Sequence, residues 1–160
     1  MKLSDFYAVV DGVAPKALSD EYCARFQAYD NSGILLETGD EVCGAVFSLD
    51  FSLASIARAK ALGANVIVTH HPAIYGKIGD IRISDFQPLD RKLIECIKNG
   101  ISVISMHLNL DVVVGGIDES LQRGIMRSVG ACTRSISCIR EIIKRRRNVA
   151  TDRKRGWSWG

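Results

Sequence analysis

The fold turns on Asn65-Val66-Ile67-Val68-Thr69-His70-His71-Pro72 and on a later counterpart, Ile101-Ser102-Val103-Ile104-Ser105-Met106-His107-Leu108-Asn109-Leu110-Asp111. Each opens with a short apolar, partly β-branched run that suits a buried strand, and each closes in a loop carrying histidine. All three histidines of the chain lie in these two loops. If both runs are strands of one parallel sheet, three imidazoles and the Asp111 carboxylate gather at one edge, past the strands' C-terminal ends. Open α/β sheets place their ligands there. Imidazole with carboxylate is a ligand set for zinc, iron, manganese or nickel.

The pattern extends outward on both sides. Residues 42–47 form an uninterrupted apolar run that reads as a third strand with both faces covered. Leu53, Ile56, Ala57 and Leu62 follow at helical spacing, with Gly63 as the stop. Leu89, Leu93, Ile94 and Ile97 mark a second helix that ends at Gly100. The order is β-α-β-α-β, which implies right-handed crossovers over a parallel sheet. Residues 72–88 have little periodicity and read as a long loop, a length often used for functional lids. Upstream, residues 2–12 suit an amphipathic helix. A second helix opens at Pro15 and carries Leu18, Tyr22, Phe26 and Tyr29. Asp30-Asn31-Ser32-Gly33 is turn chemistry that stops it, residues 33–36 read as a short strand, and Thr38-Gly39-Asp40 as a tight turn. Gly115-Gly116 reads as another tight turn, before a helix that starts near Asp118.

Size and composition agree with one soluble domain. The chain has 160 residues, of which 47% are hydrophobic, enough for a packed core. No apolar run approaches the roughly 20 residues needed to span a bilayer, and Asp5 and Asp11 interrupt the apolar stretch nearest the start, so no signal peptide is expected. The expected location is the cytoplasm. Five scattered cysteines with no Cys-x-x-Cys pair read as reduced, mostly buried thiols. The net charge of +3 hides an asymmetry. Residues 1–122 carry 10 Lys/Arg and 16 Asp/Glu, whereas residues 123–160 carry 11 Lys/Arg against Glu141 and Asp152 alone. We therefore expect an α/β domain over residues 1–122 and a basic tail over 123–160. The apolar cluster of that tail, Ile136, Ile139, Ile142 and Ile143, is too small for a second domain. Its run Lys144-Arg145-Arg146-Arg147 offers at most weak contact with nucleic acid.

Adjacent histidines on extended backbone point to opposite sides. In the turn that Pro72 imposes they can diverge toward two ions a few ångströms apart, which Asp111 can bridge. His107 and Asn109 are placed to orient such ligands. Asp50, just past the end of the first of these strands, either caps the following helix or supports the ligands from behind. The glycines form no Gly-x-Gly-x-x-Gly or Walker loop, and no serine nucleophile elbow is present.

Three motifs carry a resemblance. Tyr29-Asp30-Asn31-Ser32-Gly33, Val68-Thr69-His70-His71-Pro72 and Met106-His107-Leu108-Asn109-Leu110-Asp111, with Gly115-Gly116 after them, resemble the Nif-three-like family, also called GTP cyclohydrolase 1 type 2 homologues. The resemblance covers residues 4–121. It implies a three-layer α/β fold, a toroidal homohexamer, and two divalent metal ions per subunit of the zinc, iron or manganese class. His70, His71 and Asp111 would then be ligands, with His107 near the site, and metal-dependent hydrolysis is the implied chemistry. A non-catalytic metal-binding scaffold is the alternative. The family pattern has threonine where this chain has Leu108, and a late His-x-x-x-Glu segment that has no counterpart after His107. The expectation is therefore a truncated or frame-shifted member with an out-of-frame tail and fewer metal ions. A natural short variant with a basic arm is the alternative.

Overall fold

A computed structural model describes residues 1–82 and 88–129. The chain divides into two compact units, Met1–Asn109 and a second that starts at Leu110.

The first unit is built on a four-stranded sheet in the order β1-β4-β3-β2. Its strands are β1 (Gly33–Leu36), β2 (Ala45–Ser48), β3 (Val66–Thr69) and β4 (Ser102–Ser105). β2, β3 and β4 run parallel, in the register Ala45–Val66–Ser102 to Ser48–Thr69–Ser105. The β-α-β-α-β reading thus describes the centre of the sheet. β1 instead lies antiparallel to β4, with an irregularity between Ile34 and Leu36, so the whole sheet is mixed. Every residue of β3 and β4 is buried, as in strands covered on both faces, and the polar residues among them are paired, Ser102 with Thr38 and Ser105 with Thr69.

Helices α1 (Leu3–Val13) and α2 (Lys16–Phe26) precede the sheet. α2 ends before the Asp30 turn because Gln27 takes a left-handed conformation (φ 52°) and the Ala28 N–H bonds back to the Cys23 carbonyl. Helix α3 (Leu53–Leu62) connects β2 to β3, and α4 (Pro88–Lys98) precedes β4. Ser52 caps α3 through a reciprocal pair with Ser55. Gly63 ends it at φ 64°, a conformation that costs other residues more. Ile56, Ala59, Leu93 and Cys96 from these two helices pack with Phe51, Ile67, Ile101 and Val103 into one core. Burial pushes the Cys96 thiol up to about 12, with Glu95 adding to the shift, so this cysteine is a packing group rather than a nucleophile.

Helix α5 (Leu108–Val112) starts in the first unit and ends in the second, which continues into α6 (Ile117–Val129). The Gly115–Gly116 turn between them leaves no room for a side chain, since a Cβ on Gly116 would lie 2.1 Å from the Leu110 carbonyl oxygen. Glu119 accepts from the Gly115 N–H at 2.7 Å and lies 3.6 Å from Arg123 on the next turn. The composition change at Arg123 therefore falls inside α6 and does not mark a helix end. Residues 130–160, with most of the expected basic tail, lie outside the described residues. No described helix is long and apolar enough to cross a membrane.

Candidate metal centre

The parallel ladder continues one step past the strands and places the first two histidines. The His70 N–H donates to the Ser48 carbonyl and the His71 N–H to Leu49, while the Met106 N–H donates to Thr69. Two buried hydroxyls, Thr69 and Ser105, lie 2.8 Å apart beneath the turn. Thr69 donates to the His71 carbonyl and Ser105 accepts from the Ala73 N–H. With Pro72, these bonds fold the backbone so that both rings emerge on one side, their centroids 5.0 Å apart. The His107 ring lies 5.4 Å from that of His70 and 6.2 Å from that of His71. Three imidazoles thus form one cluster at the C-terminal edge of the parallel strands.

Each ring is anchored through Nδ1. His70 Nδ1 donates to the Met106 carbonyl at 2.9 Å, His71 Nδ1 to Asp50 at 2.6 Å, and His107 Nδ1 to Asp30 at 2.7 Å. A carbonyl only accepts, so a neutral His70 carries its proton on Nδ1 and its lone pair on Nε2. A carboxylate imposes the same tautomer on the other two. This is the arrangement that outer carboxylates and carbonyls give metal-ligating histidines. The residues present therefore fit a divalent cation.

Asp111 is carried by α5, one helical turn after His107. Within the first unit, one ligand nitrogen of His70 and one of His107 lie within 4.8 Å of each other, a spacing able to hold a metal ion.

The supporting residues differ from one another. Asp50 faces His71, and the helix cap is Ser52 instead. Asn109 is buried and makes no side-chain hydrogen bond to a histidine among the described residues. It accepts from Ser32 at 3.1 Å and donates to the Ala14 carbonyl at 2.6 Å, so it supports the segment behind His107. Asp30, read from sequence as turn chemistry and as part of a resemblance motif but given no role at the site, is the functional residue that reading missed. Its side chain is 3% exposed. It is bonded by the Ser19 hydroxyl, by the Ser32 hydroxyl at 2.6 Å and by His107. Burial alone would push its carboxyl up, but the bonds from Ser19, Ser32, His107 and the Asn31 backbone outweigh this and hold it below the ordinary value of 3.8. The signal available in sequence was its place in Tyr29-Asp30-Asn31-Ser32-Gly33, quoted beside the two histidine motifs.

Fold and site together define an α/β protein with a cluster of three histidines at the C-terminal edge of its parallel strands. The chain belongs to the Duf34/NIF3 (NGG1p interacting factor 3) family, whose model matches residues 1–134. A GTP cyclohydrolase 1 type 2 homolog of Clostridium perfringens is 33% identical over 122 residues, covering 76% of this chain and 43% of the relative. One from Staphylococcus aureus strain Mu50 is 31% identical over 126 residues, covering 78% and 32%. Among solved structures, a Bacillus cereus protein related to NIF3 superposes with a TM-score of 0.67 at 25% identity over 78% of this chain and 32% of that one. Reduced HcgD from Methanocaldococcus jannaschii gives 0.63 at 27% identity, over 77% and 46%. The chain thus spans between about a third and just under half the length of these relatives.

Proposed function

We propose that this chain binds divalent cations of the zinc, iron or manganese class through His70, His71 and Asp111, with His107 contributing to the same cluster. The observation that carries the reading is that all three rings are anchored at Nδ1 by oxygen acceptors, so that each turns Nε2 into the role of donor. Two ions per subunit, as the family resemblance implies, require donors beyond these four side chains, since two open metal sites take about five or six donor atoms. One ion per chain is therefore the expected content.

The proposed chemistry is hydrolysis. A bound cation of this class supplies polarisation of a carbonyl or phosphoryl oxygen and activation of water. The chain's own contribution is to hold three imidazoles in one tautomer at the mouth of a buried sheet, with Asp50 and Asp30 keeping protons on the far nitrogens. The further expectations are a cytoplasmic homo-oligomer, hexameric by the same resemblance.

The test is metal content after dialysis against zinc and then against metal-free buffer. We expect about one zinc per chain, falling to background in His70→Ala. Background zinc in the unaltered chain would refute the reading.

A further inference from the structure

The buried carboxylate behind the third histidine has a role that the ligand set alone does not give it. Asp30 does not reach the cluster itself. Its Oδ1 accepts from His107 Nδ1, and its Oδ2 accepts from Ser19 and Ser32. Ser32 also accepts from the His107 backbone N–H at 3.0 Å and lies against Asn109, which is tied to the Ala14 carbonyl. The ring and the backbone of His107 are therefore both fixed to a single short segment, residues 30–32. A side chain used only for packing would not be bound at both ends by the same polar network, because each buried polar group must find a partner or lose free energy.

We infer that Asp30 is a positioning residue that makes His107 a donor to the bound cation, by holding its proton on Nδ1 and its Nε2 toward His70. This rests on the metal-binding reading above and adds His107 to the donors. The Ser19 and Ser32 hydroxyls hold the carboxylate so that only Oδ1 faces the ring. Outer carboxylates of this kind typically change metal affinity by about 10–100-fold.

The experiment measures zinc affinity by chelator competition on the full chain, for the wild type, Asp30→Asn, His107→Ala and the double variant. Asparagine keeps the shape but loses the charge. We expect each single variant to bind zinc about 10–100-fold more weakly and the double variant to bind no more weakly than His107→Ala, since Asp30 acts through that ring. Zinc affinity in Asp30→Asn within about threefold of wild type, or losses that multiply in the double variant, would overturn the inference. If Asp30→Asn does not fold, the nitrogen chemical shifts of His107 in the metal-free wild type decide. At alkaline pH, where imidazole is neutral, we expect the proton on Nδ1, and a proton on Nε2 overturns the inference. A wild type that binds no zinc refutes the metal reading itself. Zinc bound normally by Asp30→Asn refutes only the role of Asp30.

Discussion

The two histidine–aspartate pairs of the cluster are built alike and embedded differently. His107 and Asp30 have side chains 23% and 3% exposed, whereas His71 and Asp50 are 49% and 64% exposed. Both contacts are short. Around Asp30, however, two hydroxyls and a backbone N–H complete the carboxylate's bonding. The Asp50 carboxylate bonds to His71 alone among the described residues, and most of its side chain is exposed. The buried pair keeps its geometry because moving it would strand polar groups. The exposed pair is free to exchange its partner for solvent at little cost. The first pair defines one fixed corner of the cluster, and the second an adjustable one.

The largest effect on this contrast should come from Asn109, the far end of the buried network. Asn109→Ala removes the side-chain donor to the Ala14 carbonyl and opens a gap beside Ser32, and should cost about 1–3 kcal/mol of stability, measured by urea denaturation. A change below about 0.5 kcal/mol, within the ordinary range of surface substitutions, would show that the network is looser than its distances suggest.

Asp50→Asn should do much less. An exposed hydrogen bond to a carboxylate contributes at most about 1 kcal/mol, so zinc affinity should fall by less than about fivefold, and the difference should shrink in high salt. A loss as large as that expected for Asp30→Asn would erase the distinction between the two corners.

How much of this could be read from sequence follows the same physics. α3 was legible at both ends, with Gly63 marking its stop, but its buried face was not, since Ser55, Ile56 and Ala59 face inward while Leu53, Ala57 and Leu62 are exposed. β3 and β4 were legible because their centres, Val66-Ile67-Val68 and Val103-Ile104, are β-branched and apolar on both faces, with only small hydroxyl side chains beside them. The first of the parallel strands was less so. Its apolar run starts at Val42, but β2 starts at Ala45. Cys43 and Gly44 are instead engaged by Asn65, and Gly44 sits against Ala64, 3.4 Å from where a Cβ would be. The direction of β1 was not legible at all, since four residues carry no mark of which way they pair.

The site divided in the same manner. His70, His71 and His107 stood out as rare side chains at equivalent strand ends. Asp30 did not, because an aspartate in a turn ordinarily serves its own backbone, and only the return of that turn alongside β4 brings it to His107. Asn109 was expected beside the ligands and lies one bond further back. Its partners are far from it in sequence, and spacing within a motif says nothing of them.

The most direct test of the account is X-ray absorption at the zinc edge of the full chain loaded with one equivalent of zinc. The account predicts a first shell of mixed nitrogen and oxygen with the outer-shell scattering of at least two imidazole rings, reduced by one ring in His107→Ala. A shell of oxygen alone, or a spectrum unchanged by removing His70 and His107, would contradict it.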